Sequence, residues 1–398
     1  MNRRSFLTAL VPAAAQVKLF AQTPRPAGNL KITNIRNVRL RVVEEVGSVE
    51  PAWNVGGSMS FRIGGGSFVE IQTDQGLVGI GPGIDTGSLD RVKSLLIGKD
   101  PFDIEQHFPR LRYYASRALA GIDIALWDLM GKASGKPLYK LLGGAKERVP
   151  AYASLIRLST PEERARLVTQ LSEEGWTAIK LRLHHLTMKE DIRTVEVVRA
   201  AVGDRMQIMT DANQAQSTGN WQPGILWDFR RAVETARELQ QLGCYWLEEP
   251  LRRYEFSMLA ELNRLVELPI AGGENNRGLH EFLRMLQEGV YDILQPEGMG
   301  GGEGITGLQK IRALAEAYGK LAVPHHGGGQ LGTVAHLHLV AAWRNAPYLE
   351  LLHDPPIASY RHGFAVMTDP PLVKNGWVTM PQKPGLGVEI DPDLIETG

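Results

Sequence analysis

The segments that decide the fold are Gln207-Ile208-Met209-Thr210-Asp211-Ala212-Asn213 and Tyr245-Trp246-Leu247-Glu248-Glu249-Pro250. Each is a short apolar run that ends in acidic or amide side chains, and the amphipathic stretch Phe229–Leu242 lies between them. Short apolar strands that alternate with helical patterns are typical of parallel β/α units. We therefore predict a β-α-β unit here, with the polar residues at the carboxyl ends of its strands.

The same alternation repeats along the chain from Val149 onward. Eight candidate strands are visible: Val149–Ile156, Ala178–Leu183, Gln207–Asn213, Tyr245–Pro250, Pro269–Asn275, Asp292–Glu297, Leu321–His326 and Tyr348–Leu352. Eight such units favour a closed (β/α)₈-type barrel, a TIM barrel of the α/β class, over an open sheet. The chain has 398 residues, which leaves room for a barrel of about 250 residues and a second unit.

The preceding region has a different pattern, which predicts a small α+β domain. Extended segments run from about residue 31 to 81, with a Gly-rich loop at about 44–66 and the turn Asp74-Gln75-Gly76 before the last strand. A helix follows over Ala115–Gly131. We predict an α+β domain over residues 28–147, a barrel over 148–370 and a C-terminal segment over 371–398. Within that segment, Gly376–Met380 is predicted to form a strand that returns to the first domain.

The composition excludes several classes of function. Lys plus Arg equals Asp plus Glu at 44 each, so no basic face for nucleic acid is indicated. No apolar run is long enough to predict a membrane span after the N-terminus. The single cysteine, Cys244, excludes an intrachain disulfide and Cys-rich zinc or iron–sulfur sites. A metal would therefore have to sit among oxygen ligands and imidazoles.

The N-terminus has the pattern of an export signal. Asn2-Arg3-Arg4-Ser5-Phe6-Leu7 resembles a twin-arginine signal, and a modestly apolar stretch follows it. We exclude residues 1–27 from the fold and predict a periplasmic or secreted protein. The alternative is a ragged basic terminus with no targeting role.

Polar residues cluster at the predicted strand ends, where barrel enzymes have their active sites. They are Lys180, Arg182, His184, Asp211, Asn213, Glu248, Glu274, Glu297, His325 and Glu350. Asp211, Glu248 and Glu274 end three successive strands, so their carboxylates are expected to converge. Such a group needs a compensating cation, and oxygen ligands favour Mg²⁺. The alternative for each carboxylate alone is a solvated loop charge.

Several motifs in order resemble the mandelate racemase/muconate lactonizing enzyme group of the enolase superfamily. They are Ala118–Asp128, Asp211–Gln214, Leu247–Pro250, Gly273–Asn275 and Pro324-His325. The resemblance runs from about residue 31 to the C-terminus. It implies a modified (β/α)₇β barrel, an α+β capping domain completed by the C-terminal segment, and a homo-oligomer. It also implies Mg²⁺ on Asp211, Glu248 and Glu274.

The resemblance further implies how the proton-transfer groups act. His325 would remove the proton α to the carboxylate of a small-molecule substrate, and Glu297 would fix its tautomer. Glu350 would face the substrate as a protonated, hydrogen-donating carboxyl. Two positions depart from the family pattern. Glu297 stands where Asp is common, and the strand-two motif is Lys180-Leu181-Arg182 instead of Lys-x-Lys.

These departures shape the remaining assignments. Arginine is a poor base, so Arg182 is expected to bind substrate oxygens or stabilise the enediolate, with Lys180 as an electrostatic helper. Asn213 and His184 are further candidates for substrate binding. Trp53 and Arg62 would contribute to a specificity lid.

Three functions remain open at this point. The first is Mg²⁺-assisted dehydration of a sugar acid to a 2-keto-3-deoxy acid, a lyase reaction for which one base suffices. The second is a racemase or epimerase, an isomerase in which Lys180 or His184 is the opposite base. The third is an exported binding protein that has lost turnover.

Overall fold

The computed structural model describes residues 30–216, 225–299 and 302–396. The predicted signal, residues 1–27, lies outside these ranges. No helix among the described residues is long and apolar enough to cross a membrane. The elements fall into an N-terminal α+β unit, a barrel and a C-terminal segment.

The N-terminal unit contains five strands and then four helices. Strands β1 to β5 are Ile32–Arg39, Val42–Val49, Met59–Gly64, Ser67–Thr73 and Val78–Pro82. Helices α1 to α4 are Leu89–Leu96, Ile104–Tyr114, Leu119–Ala133 and Leu138–Leu141. Strands β1, β4 and β5 form an antiparallel sheet in the order β1-β4-β5.

Helix α3 packs directly on this sheet, and two glycines allow the close approach. A Cβ at Gly79 would lie 2.3 Å from the Ala125 carbonyl oxygen, and one at Gly81 would lie 2.2 Å from that of Gly121. Both distances are far below van der Waals contact, so any larger residue would push the helix off the sheet. The buried side chains between sheet and helix include Ile35, and they form the core of this unit.

The barrel contains eight strands separated by seven helices among the described residues. Strands β6 to β13 are Arg148–Ser154, Ala178–Arg182, Gln207–Asp211, Leu247–Glu248, Ile270–Gly272, Ile293–Leu294, Leu321–Ala322 and Leu349–Asp354. Helices α5 to α11 are Pro161–Glu173, Met188–Val202, Phe229–Gln241, Phe256–Leu265, Gly278–Glu288, Gly304–Ala317 and Gln330–Ala342. Consecutive strands from β6 to β12 pair in parallel, and β13 pairs in parallel with β6. The fold is therefore the modified (β/α)₇β barrel with a separate α+β domain.

Local sequence explains where the first barrel helices begin. The Thr160 hydroxyl accepts a hydrogen bond from the Glu163 backbone N–H, and the Glu163 carboxylate accepts one from Thr160. Thr187 and Glu190 form the same reciprocal pair at the start of α6. These capping boxes satisfy N–H groups that a helix N-terminus leaves without partners.

Two expectations about strands need correction. The region 44–66 is not simply a loop, because β2 and β3 pair there as an antiparallel ribbon. The backbone hydrogen bonds between β2 and β3 stabilise this ribbon despite the high glycine content of the segment. The barrel strands other than β13 are also shorter than predicted. The polar residues after β9, β10, β11 and β12 lie in loops, where side chains can turn toward the barrel axis.

The C-terminal segment contacts both units. It contains β15 (Val373–Lys374) and β16 (Trp377–Thr379), and it is preceded by β14 (Ala358–Ser359) and α12 (Tyr360–Phe364), which follow the last barrel strand. Strand β16 pairs with barrel strand β6, so the prediction that it joins the first domain was wrong. The return to that domain comes later in the chain: the Leu386 N–H donates to Asp128 on α3, and Ile395 forms a bridge with Leu40.

Candidate active site

Buried acidic side chains meet at the carboxyl ends of β8, β9 and β10. Asp211 and Glu248 lie opposite each other in register, and Glu274 follows the end of β10. All three carboxylates are buried, as are Glu249 and Glu350. Because the strands are parallel, their carboxyl ends lie on one face of the barrel, which is where barrel enzymes have their active sites.

Lys180 on β7 lies at the centre of this acidic group. Its Nζ is 2.9 Å from both oxygens of Glu248, 2.9 Å from Glu350 Oε1 and 3.4 Å from Asp211 Oδ2. The side chain is fully buried. Burial alone would lower the pKa of Lys180, but Glu248 and Glu350 raise it above its usual value. The ammonium is therefore a fixed positive charge and a poor base.

Arg182 is held by the protein on every nitrogen of its guanidinium. Nε donates to the Leu155 carbonyl at 3.0 Å, one terminal nitrogen donates to Ser154 Oγ at 3.0 Å, and the other contacts Asp211. The Trp53 ring lies 4.9 Å from the guanidinium carbon. Arg182 is thus a structural link between the lid and Asp211, and the expectation that it binds substrate oxygens is not met in this geometry.

Asn213 is also committed to protein contacts. Its backbone N–H and its side-chain amide both donate to Asp211, at 2.7 Å and 3.1 Å. Its Oδ1 is 3.1 Å from both Arg182 and His184. The backbone has a φ of 47°, which Asn tolerates better than most residues. Asn213 therefore orients Asp211 in this structure, and its predicted role in substrate binding stays a prediction.

His184 is buried beside Asn213. Burial is the main reason that the pKa of His184 is lowered to about 4, so the ring is neutral near pH 7. Its Nε2 donates to the Asn213 carbonyl oxygen, since an amide oxygen can only accept. We find His184 to be a support for Asn213.

His325 bridges two carboxylates at the end of β12. Its Nδ1 lies 2.6 Å from Glu297 Oε2, and its Nε2 lies 2.9 Å from Glu274 Oε2. Burial opposes a charge on the ring, but Glu274 and Glu297 raise the pKa of His325 well above its usual value. The same contact holds the pKa of Glu274 below its usual value despite burial. The predicted pair His325 and Glu297 is therefore brought together.

Glu350 differs from expectation in its charge. It lies near other acids, which predicted a protonated carboxyl. Burial does favour the neutral form, but Lys180 lowers the pKa of Glu350 below its usual value. The ion pair with Lys180, which the sequence did not predict, favours the ionised carboxylate, and the role of Glu350 toward a substrate stays a prediction.

Ionisation of Glu248 and Glu249 is the least compensated in the acidic group. Burial and the Asp211 carboxylate raise the pKa of Glu248 to about 8. Burial and Glu274 raise the pKa of Glu249 well above its usual value, and both Glu249 carboxylate oxygens are buried without a hydrogen-bond partner. Buried oxygens without partners are costly. This part of the site would gain from a further cation.

No group of three or more Asp, Glu, His or Cys side chains is arranged to hold a metal ion as it stands, among the residues that the structure describes. The reason lies in the pairings above: Lys180, Arg182 and His325 neutralise the acids in place. The donor set itself suits Mg²⁺, because it offers carboxylate oxygens and no sulfur. A bound cation would have to replace at least part of this pairing.

The sequence did not reveal the groups that fix Glu248. Gln295 Nε2 donates to Glu248 Oε2 at 2.7 Å, and Trp246 Nε1 donates to the same oxygen at 3.3 Å. Trp246 and Gln295 each lie two positions before a predicted site residue, Glu248 and Glu297. Period-two alternation along a strand puts such pairs on one face, and that signal could have identified both.

Arg62 lies apart from the acidic group. It is exposed on β3 and lines a cavity beside His326. The lid residue Trp53, in contrast, reaches the site through Arg182. The connection between β2 and β3 lies over the barrel end, where the Ala52 N–H donates to the Ile156 carbonyl at 2.8 Å.

Comparisons with known families agree with this architecture. The family described as "Enolase C-terminal domain-like" matches residues 163–394, and the mandelate racemase / muconate lactonizing enzyme N-terminal domain matches residues 49–143. The boundary between the two matches falls close to where the barrel begins. Both parts of the fold are therefore those of one family.

Curated relatives cover most of the chain. An arabinonate dehydratase from Saccharolobus solfataricus is 31% identical over 348 residues, 82% of this chain and 88% of the relative. A D-galactarolactone cycloisomerase from Agrobacterium fabrum is 32% identical, covering 85% of this chain and 92% of the relative. A crystal structure of D-glucarate dehydratase from Agrobacterium tumefaciens complexed with magnesium superposes with a TM-score of 0.77 at 26% identity, covering 93% and 100%. These three relatives are acid-sugar enzymes. The chain belongs to the mandelate racemase/muconate lactonizing enzyme group of the enolase superfamily.

Proposed function

We propose that this protein is a Mg²⁺-dependent dehydratase that converts a sugar acid to a 2-keto-3-deoxy acid. The observation that carries the proposal is the contact of His325 with Glu297 at the edge of the buried carboxylate group. Relatives named as dehydratases of arabinonate, talarate, galactarate and galactonate support the reaction class.

Asp211, Glu248 and Glu274 are the residues that would hold Mg²⁺. Their donors are oxygens, and the unpartnered Glu249 carboxylate beside them favours an added positive charge. When bound, Mg²⁺ supplies charge that stabilises the enediolate formed on loss of the α-proton. Lys180, with its raised pKa, adds a second fixed positive charge to the same side of the barrel.

His325 performs the proton transfers in this proposal. The Glu297 carboxylate accepts a hydrogen bond from Nδ1. Nε2 contacts Glu274 in the structure, and engagement of Glu274 as a metal ligand would release Nε2 as the basic nitrogen of a neutral ring. Nε2 points to Glu274, where the substrate carboxylate would be held. Nε2 takes the proton from C2. The imidazolium then gives that proton to the hydroxyl leaving C3, so water departs and the resulting enol becomes the 2-keto acid.

Among the described residues, dehydration is favoured over epimerisation because the other candidate bases are held by protein contacts, and the Nε2 of His184 donates to Asn213 Oδ1. Epimerisation needs a second base opposite His325. Lys180 is bound by carboxylates that raise its pKa, and Arg182 is bonded on all three nitrogens. One histidine that first accepts and then returns a proton is sufficient for dehydration.

The test is incubation of Mg²⁺-loaded protein with a panel of sugar acids in D₂O. Dehydration predicts a 2-keto acid product detected by NMR, and its loss in the His325→Asn variant. The matched control is His280→Asn, since His280 is an exposed residue of α9. Deuterium at C2 without loss of water would instead indicate an epimerase. Ligand-dependent thermal stabilisation without either product would indicate a binding protein.

We also propose export through the twin-arginine route, on the basis of Arg3-Arg4. The test is expression of the full chain in a bacterium with a twin-arginine translocase, followed by fractionation. Replacing both arginines with lysine should keep the protein in the cytoplasm. Unchanged periplasmic protein in that variant would contradict the proposal.

A further inference from the structure

The two acids that flank His325 belong to different loops. Glu274 lies between β10 and α9, and Glu297 lies between β11 and α10. His325 contacts both, with Nε2 2.9 Å from Glu274 and Nδ1 2.6 Å from Glu297. The separation of the two loops therefore decides whether the ring meets both acids at hydrogen-bond distance.

Glu303 ties these two loops together. Its backbone N–H donates to the Glu297 carbonyl oxygen at 3.1 Å, which folds the loop before α10 back on itself. Its carboxylate accepts from the Gly278 N–H at 2.8 Å, at the first residue of α9. The Glu303 residue is only 3% exposed. Because a buried carboxylate without partners is costly, these contacts hold both loops at a fixed distance.

The loop that contains Glu274 is folded around a second arginine, Arg277. The Arg277 guanidinium donates to the backbone carbonyl of Glu274 at 2.6 Å and to that of Asn276 at 2.9 Å. The N–H that Glu303 accepts belongs to the next residue, Gly278. The contacts therefore form a closed chain, whose members are His325, Glu297, Glu303, Gly278, Arg277 and Glu274.

The capping domain reaches this closed chain through Arg112 on α2. One terminal nitrogen of Arg112 contacts Glu303 Oε2, and the other donates to Glu303 Oε1 at 3.2 Å. An arginine that binds both oxygens of a carboxylate fixes its orientation as well as its charge. Glycine at 278 leaves room for this pair, since a Cβ there would lie 2.8 Å from Arg112 Nη2. The capping domain thus holds the carboxylate that joins the two loops.

We propose that Glu303 and Arg112 are positioning residues, which hold Glu274 and Glu297 at the right separation around His325. This inference rests on the proposed function, in which His325 is the base. Both residues act through the backbone of the two loops and not through contact with the reacting atoms. Docking of the capping domain on the barrel then sets the geometry of the base.

The first test measures kcat and KM for Arg112→Met and Glu303→Gln. We expect kcat to fall by about 10- to 100-fold, the range for a small displacement of reacting groups. KM should change by less than about threefold, because substrate binding is retained. Arg112→Lys should recover part of kcat, since an ammonium keeps the charge without binding both oxygens in a plane. The double variant should be no slower than the slower single variant, because both changes break the same contact.

The matched control is Lys310→Met. Lys310 on α10 pairs with Glu105 on α2 at 2.7 Å, so this contact also joins the capping domain to the barrel, but at a solvent-exposed position. Its loss should leave kcat at the wild-type value. An equal fall of kcat in the control would assign the effect to docking of the domains in general and would overturn the proposal. Lower stability with unchanged kcat in both Arg112→Met and Glu303→Gln would overturn it as well.

Hydrogen exchange separates this inference from the proposed reaction. In Arg112→Met without Mg²⁺ or substrate, the Gly278 and Glu303 amides should both exchange at least about tenfold faster, as for loss of one hydrogen bond to a charged group. Mass spectrometry with fragmentation to single residues measures both rates. Faster exchange with no turnover of any acid by the wild type would leave the link between the loops standing and overturn the dehydratase. Turnover by the wild type with unchanged exchange at both amides would overturn the positioning role alone.

Discussion

Replacing Arg182 with methionine would remove the closest cation from a buried carboxylate. The guanidinium contacts Asp211, and it also donates to Ser154 and Leu155 at 3.0 Å each. Methionine has a similar length but donates no hydrogen bond. Removing one partner of a buried ion pair costs about 3–5 kcal/mol. Since Lys180 remains 3.4 Å from Asp211, we expect the lower end, about 3 kcal/mol.

The loss should depend on Mg²⁺ if Asp211 is a metal ligand. In EDTA the variant has a poorly compensated carboxylate, whereas a bound cation would replace the missing charge. We expect Mg²⁺ to restore about half of the loss, which corresponds to roughly tenfold tighter Mg²⁺ binding by the variant. Urea unfolding in EDTA and in saturating Mg²⁺ measures the first quantity. Calorimetric Mg²⁺ titration of both folded proteins measures the second.

Arg164→Met is the matched control for this prediction. Arg164 is also buried, and it pairs with Asp354 at 3.2 Å without contacting the acidic group. Its replacement should lower stability equally in EDTA and in Mg²⁺. If Arg182→Met lost as much stability in Mg²⁺ as in EDTA and bound Mg²⁺ with wild-type affinity, Asp211 would not be a ligand and the proposed metal site would be wrong.

Three further predictions concern the base, the lid and the capping domain. Glu297→Gln should lower kcat by about 10- to 100-fold with KM nearly unchanged, because His325 loses a charged acceptor. Trp53→Ala should raise KM by about 3- to 10-fold because the lid loses its ring at the barrel end. Mg²⁺ affinity should be unaltered because Arg182 keeps its hydrogen bonds to Asp211 and Ser154. Burial raises the pKa of Asp123 to about 7, against about 3.9 when unfolded. The folded protein then holds an extra proton between these values, so stability falls as pH rises from about 4 to 7, and Asp123→Asn should flatten this slope in urea unfolding.

Each of these three has a result that would contradict it. A large change in KM with constant kcat for the Glu297 variant would mean that Glu297 acts in binding. Weaker Mg²⁺ binding after Trp53→Ala would place the ring in support of Asp211 and not of the lid. An unchanged pH slope in Asp123→Asn would assign that slope to other buried acids.

The barrel and its acidic strand ends were predictable because they depend on local and repeated features. Alternating apolar strands and amphipathic helices indicate parallel β/α units whichever strands become neighbours. Parallel strands of consecutive units then bring their carboxyl ends to one face. The convergence of Asp211 with Glu248 follows from this rule, and the register of β8 and β9 has them opposite each other.

The partner of each charged group was not predictable in the same way. Lys180 contacts acids on β9 and β13, which are 68 and 170 positions away. Which acid it selects depends on closure of the barrel between β6 and β13 and on side-chain length. The ion pair between Lys180 and Glu350 was not predicted for this reason. Arg182 and Asn213 likewise make hydrogen bonds within the protein, because residues on neighbouring strands lie within reach of both side chains.

The two departures from the family pattern both leave the proposed base, His325, in contact with its partner Glu297. Arginine at position 182 cannot serve as a base and instead joins Trp53 to Asp211. The longer acid at 297 keeps contact with His325 at 2.6 Å, and its other oxygen accepts from the Met299 N–H at 2.6 Å. The extra methylene is therefore used to tie the base to the following loop. Because neither change separates His325 from its partner, the geometry favours a catalyst with one proton-transfer residue over a protein that has lost turnover.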